Sequence, residues 1–336
     1  MKDEGQAKYI LDQLLQKWPS WQTDIHFENR YPLHDALHKG SLDLFDILMR
    51  HGADPSHCSY HPNGGTTSLL LASVKCSLQH RFQETVVDVA LDTYPFDDNE
   101  MHEAMYVAVQ YENLGALRAL IKHGATFLNE NDAKHTLSLA CTFDPSKNQY
   151  EMVHLLLQDN NVLASIQQDS GDRATPALHQ ASYKGNIDVM ALLVEKGACV
   201  NGYDRNHQYR PTALMMAALN SEQEAISWLL EQGADPHLCD TKGQNALYWL
   251  SSVEHMGEDY EENYTVPCAR ILLNAGVSLD QVNNNGDTPI DVARKNDHKN
   301  LEAFFLSSVI KENLSDRIET KTDAEGCAKG LGKLKM

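Results

Sequence analysis

The sequence predicts an all-α solenoid of about eight helix-turn-helix repeats, joined by hairpin finger loops and preceded by a helical cap. Three observations carry this. A leucine or methionine early in a short apolar helix is followed 19 positions later by a Gly-Ala step: Leu33 with Gly52-Ala53, Met105 with Gly124-Ala125, Leu178 with Gly197-Ala198, and Leu214 with Gly233-Ala234. The pattern has a period, since Leu214 to Leu247 is 33 residues, and it returns as Asn245-Ala246-Leu247 with Asn274-Ala275-Gly276 and as Gly286-Asp287-Thr288-Pro289-Ile290. Each pair of helices is too short to bury its own apolar face, so a unit is stable only when stacked on its neighbours.

The clearest unit runs from Asp172 to Asp204. Thr175-Pro176-Ala177-Leu178-His179 opens a first helix and Lys184-Gly185-Asn186 breaks it. Ile187, Met190, Leu192, Leu193 and Val194 supply the apolar positions of a second helix, which Gly197-Ala198 stops, because glycine takes the left-handed conformation without a Cβ clash.

In chain order, residues 1–27 are expected to cap the stack. Tyr9, Ile10, Leu14, Leu15 and Trp18 share one side of an amphipathic helix that Pro19 ends; a partner-binding helix is the alternative. The repeat domain spans 28–310. Repeat one covers about 29–60. Repeat two starts at Thr66-Thr67-Ser68-Leu69, carries extra residues near 75–80 and has Tyr94-Pro95 where Gly-Ala is expected. Repeat three has lost Thr-Pro and reads Glu103-Ala104-Met105-Tyr106. Repeat four begins near Lys134, holds extra residues at Phe143-Asp144-Pro145-Ser146, and is expected to end at Asp159-Asn160. Repeats five and six are the most regular. Repeat seven is interrupted over 251–267, and repeat eight closes with Leu301, Phe304, Phe305 and Leu306. Residues 311–336 turn polar and glycine-rich, which predicts a mobile tail.

Pro32-Leu33-His34, Thr175-Pro176 with Leu178-His179, Thr288-Pro289 and the Gly-Ala steps, two of them followed by Asp54-Pro55 and Asp235-Pro236, resemble the ankyrin-repeat family over residues 28 to 310. The resemblance implies a non-enzymatic scaffold that holds a partner protein or peptide in a concave groove. It gives His34 and His179 a structural role, hydrogen-bonding across the turn and to the next repeat. Met215 and Asp291 depart from the pattern at the histidine position. A looser similarity, in degenerate repeats and a polar tail, is to ankyrin proteins that intracellular bacteria deliver into host cells.

Composition narrows the partner. Forty-two per cent hydrophobic and 22% charged residues suit a soluble chain with a substantial core. A net charge of −19 argues against nucleic acid or an anionic membrane as the main partner, and the acidic insertion with its tyrosines suits a partner with a basic surface. The seven cysteines are scattered and form no CxxC pair, so a reducing, cytoplasmic setting is expected, which the looser similarity extends to a host-cell cytosol, and the chain is expected to be a monomer.

Chemistry-bearing constellations are sparse. His51, His57, Cys58 and His61 fit no closed zinc spacing, and GCAKGLGK at 326–333 has the wrong interval for a phosphate loop. No metal and no cofactor is expected. The enzymatic alternative is a thiol-dependent site in the irregular repeats one to four, around Cys58 or around Cys141 with His154 as base.

Two surfaces are candidates for a partner. By the resemblance, the two positions before each helix break face the groove; they include Tyr111, Tyr183, Lys184 and Leu219. Beside them runs the finger Tyr203-Asp204-Arg205-Asn206-His207-Gln208-Tyr209-Arg210, three residues longer than the period allows and rich in the Tyr and Arg that anchor interfaces. From it, Tyr203, Arg205, His207, Tyr209 and Arg210 are candidate contacts. The second surface is the repeat-seven insertion, read as an acidic loop on one rim: Glu258, Asp259, Tyr260, Glu261 and Glu262, with Glu254 and Tyr264.

Overall fold

A computed structural model describes residues 32, 33, 36, 41–51, 53, 69–76, 83–167, 176–204, 207–252 and 257–311. The expected cap, most of repeat one and residues 312–336 of the expected tail lie outside the described residues, as do His34, Cys58 and Arg205. The chain divides into two compact units, Met1–Gln168 and Asp169–Met336.

In the first unit the helices are α1 Leu42–Arg50, α2 Leu69–Cys76, α3 Gln83–Thr93, α4 Asp98–Gln110, α5 Leu114–Lys122, α6 Glu130–Ala140, α7 Lys147–Leu156 and α8 Asn160–Gln167. They form two rows: α2, α4 and α6 pack side by side, and so do α1, α3, α5 and α7. Met105, Leu117, Leu120 and Leu137 are fully buried where the rows meet. Repeat four does not end at Asp159-Asn160. Asp159 instead starts an extra helix, α8, which packs on α6. One Asp159 carboxylate oxygen accepts from the amides of Asn161 and Val162 at 2.8 and 3.3 Å, and the other from Phe127 N at 2.9 Å.

In the second unit they are α9 Pro176–Tyr183, α10 Ile187–Glu195, α11 Ala213–Leu219, α12 Gln223–Glu231, α13 Ala246–Ser251, α14 Glu258–Tyr260, a π-helical turn Glu261–Thr265, α15 Val266–Asn274 and α16 Pro289–Lys295. A last helix, α17, covers 299–311. Again α9, α11, α13 and α16 form one row and α10, α12 and α15 the other. Leu178, Leu193, Leu229, Leu247 and Leu272 are fully buried between them.

The local causes are those the sequence announces. Asn113, Asn186, Thr212 and Thr288 accept from amides in the first turns of the helices they precede. At the helix stops, Gly197 has φ +104° and Gly233 +86°, values that cost a side chain strain. The break between paired helices needs the same conformation, and there Gly185 at +66° is matched by Glu112, Ser221 and Asp297 at +53° to +60°. Among the described residues no strand forms and no helix is long and apolar enough to cross a membrane.

Candidate interaction surface

The long finger closes through an antiparallel bridge between Tyr203 and Thr212, with Asp204 N donating to Pro211 O at 2.9 Å. The two later fingers repeat that bond, from Asp240 N to Gln244 O and from Asn283 N to Asp287 O, each at 2.9 Å. Neighbouring fingers are then tied edge to edge: Thr241 N donates to Tyr209 O at 3.0 Å and Asn284 N to Lys242 O at 2.9 Å. The backbone at Tyr209 is thus tied to the next finger.

Side chains reinforce this. Lys242 Nζ lies 3.8 Å from the centre of the Tyr209 ring. His207 and Tyr209 contact Trp249 at ring separations of 5.8 and 6.5 Å. Trp249 Nε1 donates to the buried Asp240 carboxylate at 3.0 Å, and the other Asp240 oxygen accepts from Lys242 N and Gln244 N. His207 and Tyr209 stay half-buried, so the cluster is anchored on one side and open on the other. Arg210, at φ +52°, sets its guanidinium 5.7 Å from the Tyr203 ring, and its Nε is buried without a hydrogen-bond partner among the described residues.

The remaining groove positions lie at the ends of first helices. Tyr183, Lys184 and Leu219 are half-buried in the second unit, and Tyr111, 44% exposed, belongs to the first. Lys184 lies beside Glu222, whose carboxyl is pushed up chiefly by burial. Trp249 and Lys242 complete the finger cluster but do not stand out in the sequence. The available signal was their place one repeat beyond Met216 and Tyr209, visible only once the fingers are known to touch.

The acidic insertion is corrected. It is not a loop: Gly257, at φ +106°, starts a run that stays helical from Glu258 through Asn274. Nor is Glu261 part of a rim. Its side chain is 1% exposed, and it accepts from His298 Nδ1 at 3.2 Å, Asn300 N at 2.9 Å and Leu301 N at 3.4 Å. A buried carboxylate needs such donors, and here they are the first turn of α17, so Glu261 faces inward to hold that helix. Glu258, Asp259 and Glu262 are exposed, and Tyr260 stacks on the exposed Tyr264 at 4.9 Å.

The thiol alternative loses Cys141. That residue is fully buried and burial pushes its thiol far up, which starves it of thiolate. His154, its supposed base, is exposed and stacks on Tyr150. Among the described residues no group of His, Cys, Asp and Glu could hold a metal ion.

A family model of ankyrin repeats in three copies matches residues 137–240 and 214–316, and a single ankyrin repeat matches 28–60. The chain is 25% identical over 218 residues to a transient receptor potential cation channel subfamily A member 1 homolog of Caenorhabditis elegans, covering 65% of this chain and 16% of that one. It is 24% identical over 289 residues to an ankyrin repeat and KH domain-containing protein of Caenorhabditis briggsae, 82% of this chain and 10% of the other. With a putative ankyrin repeat protein of Acanthamoeba polyphaga mimivirus it shares 25% over 299 residues, 85% and 36%. The chain therefore spans little more than a third, at most, of the length of these relatives.

Proposed function

The chain belongs to the ankyrin-repeat family, and on that premise we propose that it is a non-enzymatic scaffold binding a partner protein or peptide. The partner meets the finger between repeats five and six together with the adjoining ends of first helices. One observation carries this reading: the finger holds a half-open aromatic and cationic cluster, Tyr203, His207, Tyr209 and Arg210, on a backbone fixed by the next finger. Tyr loses little entropy on binding, the Arg210 guanidinium is already packed on the Tyr203 ring, and both offer apolar area and hydrogen bonds.

Cys141, Cys239 and Cys268 are free thiols, which suits a reducing, cytoplasmic setting. The net charge of −19 favours a partner with a basic surface. Affinity capture from cytosol with the full chain identifies partners, and the paired substitution Tyr209→Ala with Arg210→Ala tests the site. Each anchor is worth about 2 kcal/mol or more, so affinity should fall at least roughly thirtyfold with the helical spectrum unchanged. Undiminished affinity of the paired variant overturns the finger as the interface.

A further inference from the structure

We propose that the first unit carries a separate pocket for a cationic side chain, an arginine presented by a polypeptide, between α4 and α6. The pocket needs only that the chain meets a polypeptide and does not rest on the finger reading.

His102, Glu103 and Tyr106 of α4 face Asp132, His135 and Thr136 of α6 around a cavity of about 280 Å³. That lies below the roughly 300–1,000 Å³ of sites for drug-sized ligands and suits one side chain. Its walls are held in place. Asp132 accepts from Asn129 Nδ2 at 2.7 Å and pairs with His102 Nε2 at 3.1 Å, while His102 Nδ1 accepts from Leu128 N at 3.4 Å. His102 is thus held between the Asp132 carboxylate and the Leu128 amide. Tyr106 and His135 stack nearly parallel, 6.0 Å apart with 19° between their planes, and give the cavity aromatic surface.

The charge pattern selects the occupant. Two carboxylates line the cavity and no lysine or arginine does. Glu103 is exposed and has no hydrogen bond or ion pair among the described residues. The Thr136 hydroxyl already donates to Asp132 O at 2.8 Å, and an anion would meet the two carboxylates. A guanidinium suits all three features: it is planar, stacks on aromatic rings and donates in a fork to a carboxylate. An ammonium would use the charge but would not stack on the rings.

The test uses the full chain and two small probes of equal shape, Nα-acetyl-arginine amide and its neutral analogue Nα-acetyl-citrulline amide. NMR of the side-chain rings should show saturable shifts at His102, Tyr106 and His135 with the arginine probe and none with the citrulline probe. Glu103→Gln should weaken arginine binding about tenfold, the loss of one charge-assisted hydrogen bond. Glu231→Gln, an exposed carboxylate of the second unit, should leave it unchanged. The proposal is overturned by equal binding of citrulline, by an equal loss in both variants, or by the absence of saturable shifts at the three rings.

Discussion

The His179 ring, 1% exposed, places Nε2 3.1 Å from Pro211 O, the residue before Thr212 in the next repeat. That bond between repeats was legible in the sequence from Leu178-His179. Its substitutes were not. Repeat seven has Tyr248 at the equivalent place, and its hydroxyl reaches Asp287 O at 2.7 Å, the residue before Thr288 and so the same acceptor one repeat on; Gln281 O is its second acceptor. A tyrosine after Asn245-Ala246-Leu247 reads locally as a core aromatic, and only the stacked neighbour shows where its hydroxyl goes. The departures at Met215 and Asp291 are absorbed within one turn. Thr212 N meets Met215 Sδ at 3.4 Å, and Asp291 accepts from Thr288 N and Oγ1, bonds that hold its carboxyl below the usual range. Tyr248 is 1% exposed and burial pushes its phenol up to about 12, so it stays a neutral donor. Tyr248→Phe keeps the ring and removes the one hydroxyl proton that the half-buried carbonyls of Gln281 and Asp287 share. Urea unfolding should show a loss of about 0.5–1.5 kcal/mol, the usual net worth of one hydrogen bond. Unchanged stability would show that the carbonyls find other donors.

At the scale of elements, the regular helix pairs were read correctly because each carries its own punctuation, a polar cap before and a glycine after. The elements misread lack that local signal. Asp159-Asn160 has the composition of a turn, yet Asp159 caps α8 because Phe127, 32 residues upstream, supplies a third donor. In the insertion, Glu258, Asp259, Glu261 and Glu262 have the composition of a solvated loop, but the first turn of α17 turns one of the four inward. The cost of burying Glu261 is offset by donors that lie 37 to 40 residues away, beyond the reach of any window of sequence. Glu261→Ala should therefore act on α17 rather than on its own turn. It removes the acceptor of two α17 amides and leaves His298 facing a gap, a loss of about 2–4 kcal/mol by the usual worth of caps and buried charge-assisted bonds. Hydrogen exchange should quicken across 299–311 while α9 and α10 keep their protection. Protection of α17 equal to wild type would refute the holding role, and Glu262→Ala, on the exposed side, serves as the control.

For the whole molecule, the period fixed the architecture, and on the proposed function the net charge of −19 would set how it meets a partner. Charge acts over distance, whereas the proposed finger contacts are short-ranged, so the two should separate in kinetics. Under that proposal the exposed carboxylates Glu258, Asp259 and Glu262 would attract a basic partner before it docks. Neutralising those three together, with Glu261 left in place, should slow association and flatten its dependence on salt. Wild-type association should itself slow as salt rises from about 0.1 M to about 1 M, where the screening length shrinks from about 10 Å to about 3 Å. Dissociation should hardly change, because rim charges that stay hydrated in the complex contribute little to holding it. The paired Tyr209→Ala and Arg210→Ala variant should do the reverse: near-normal association, faster dissociation, and an unaltered salt slope. Surface plasmon resonance with the captured partner at several ionic strengths resolves both rates. If neutralising the three carboxylates speeds dissociation while the finger variant leaves it untouched, the partner is seated on the insertion helix, and the finger cluster serves only to join one repeat to the next.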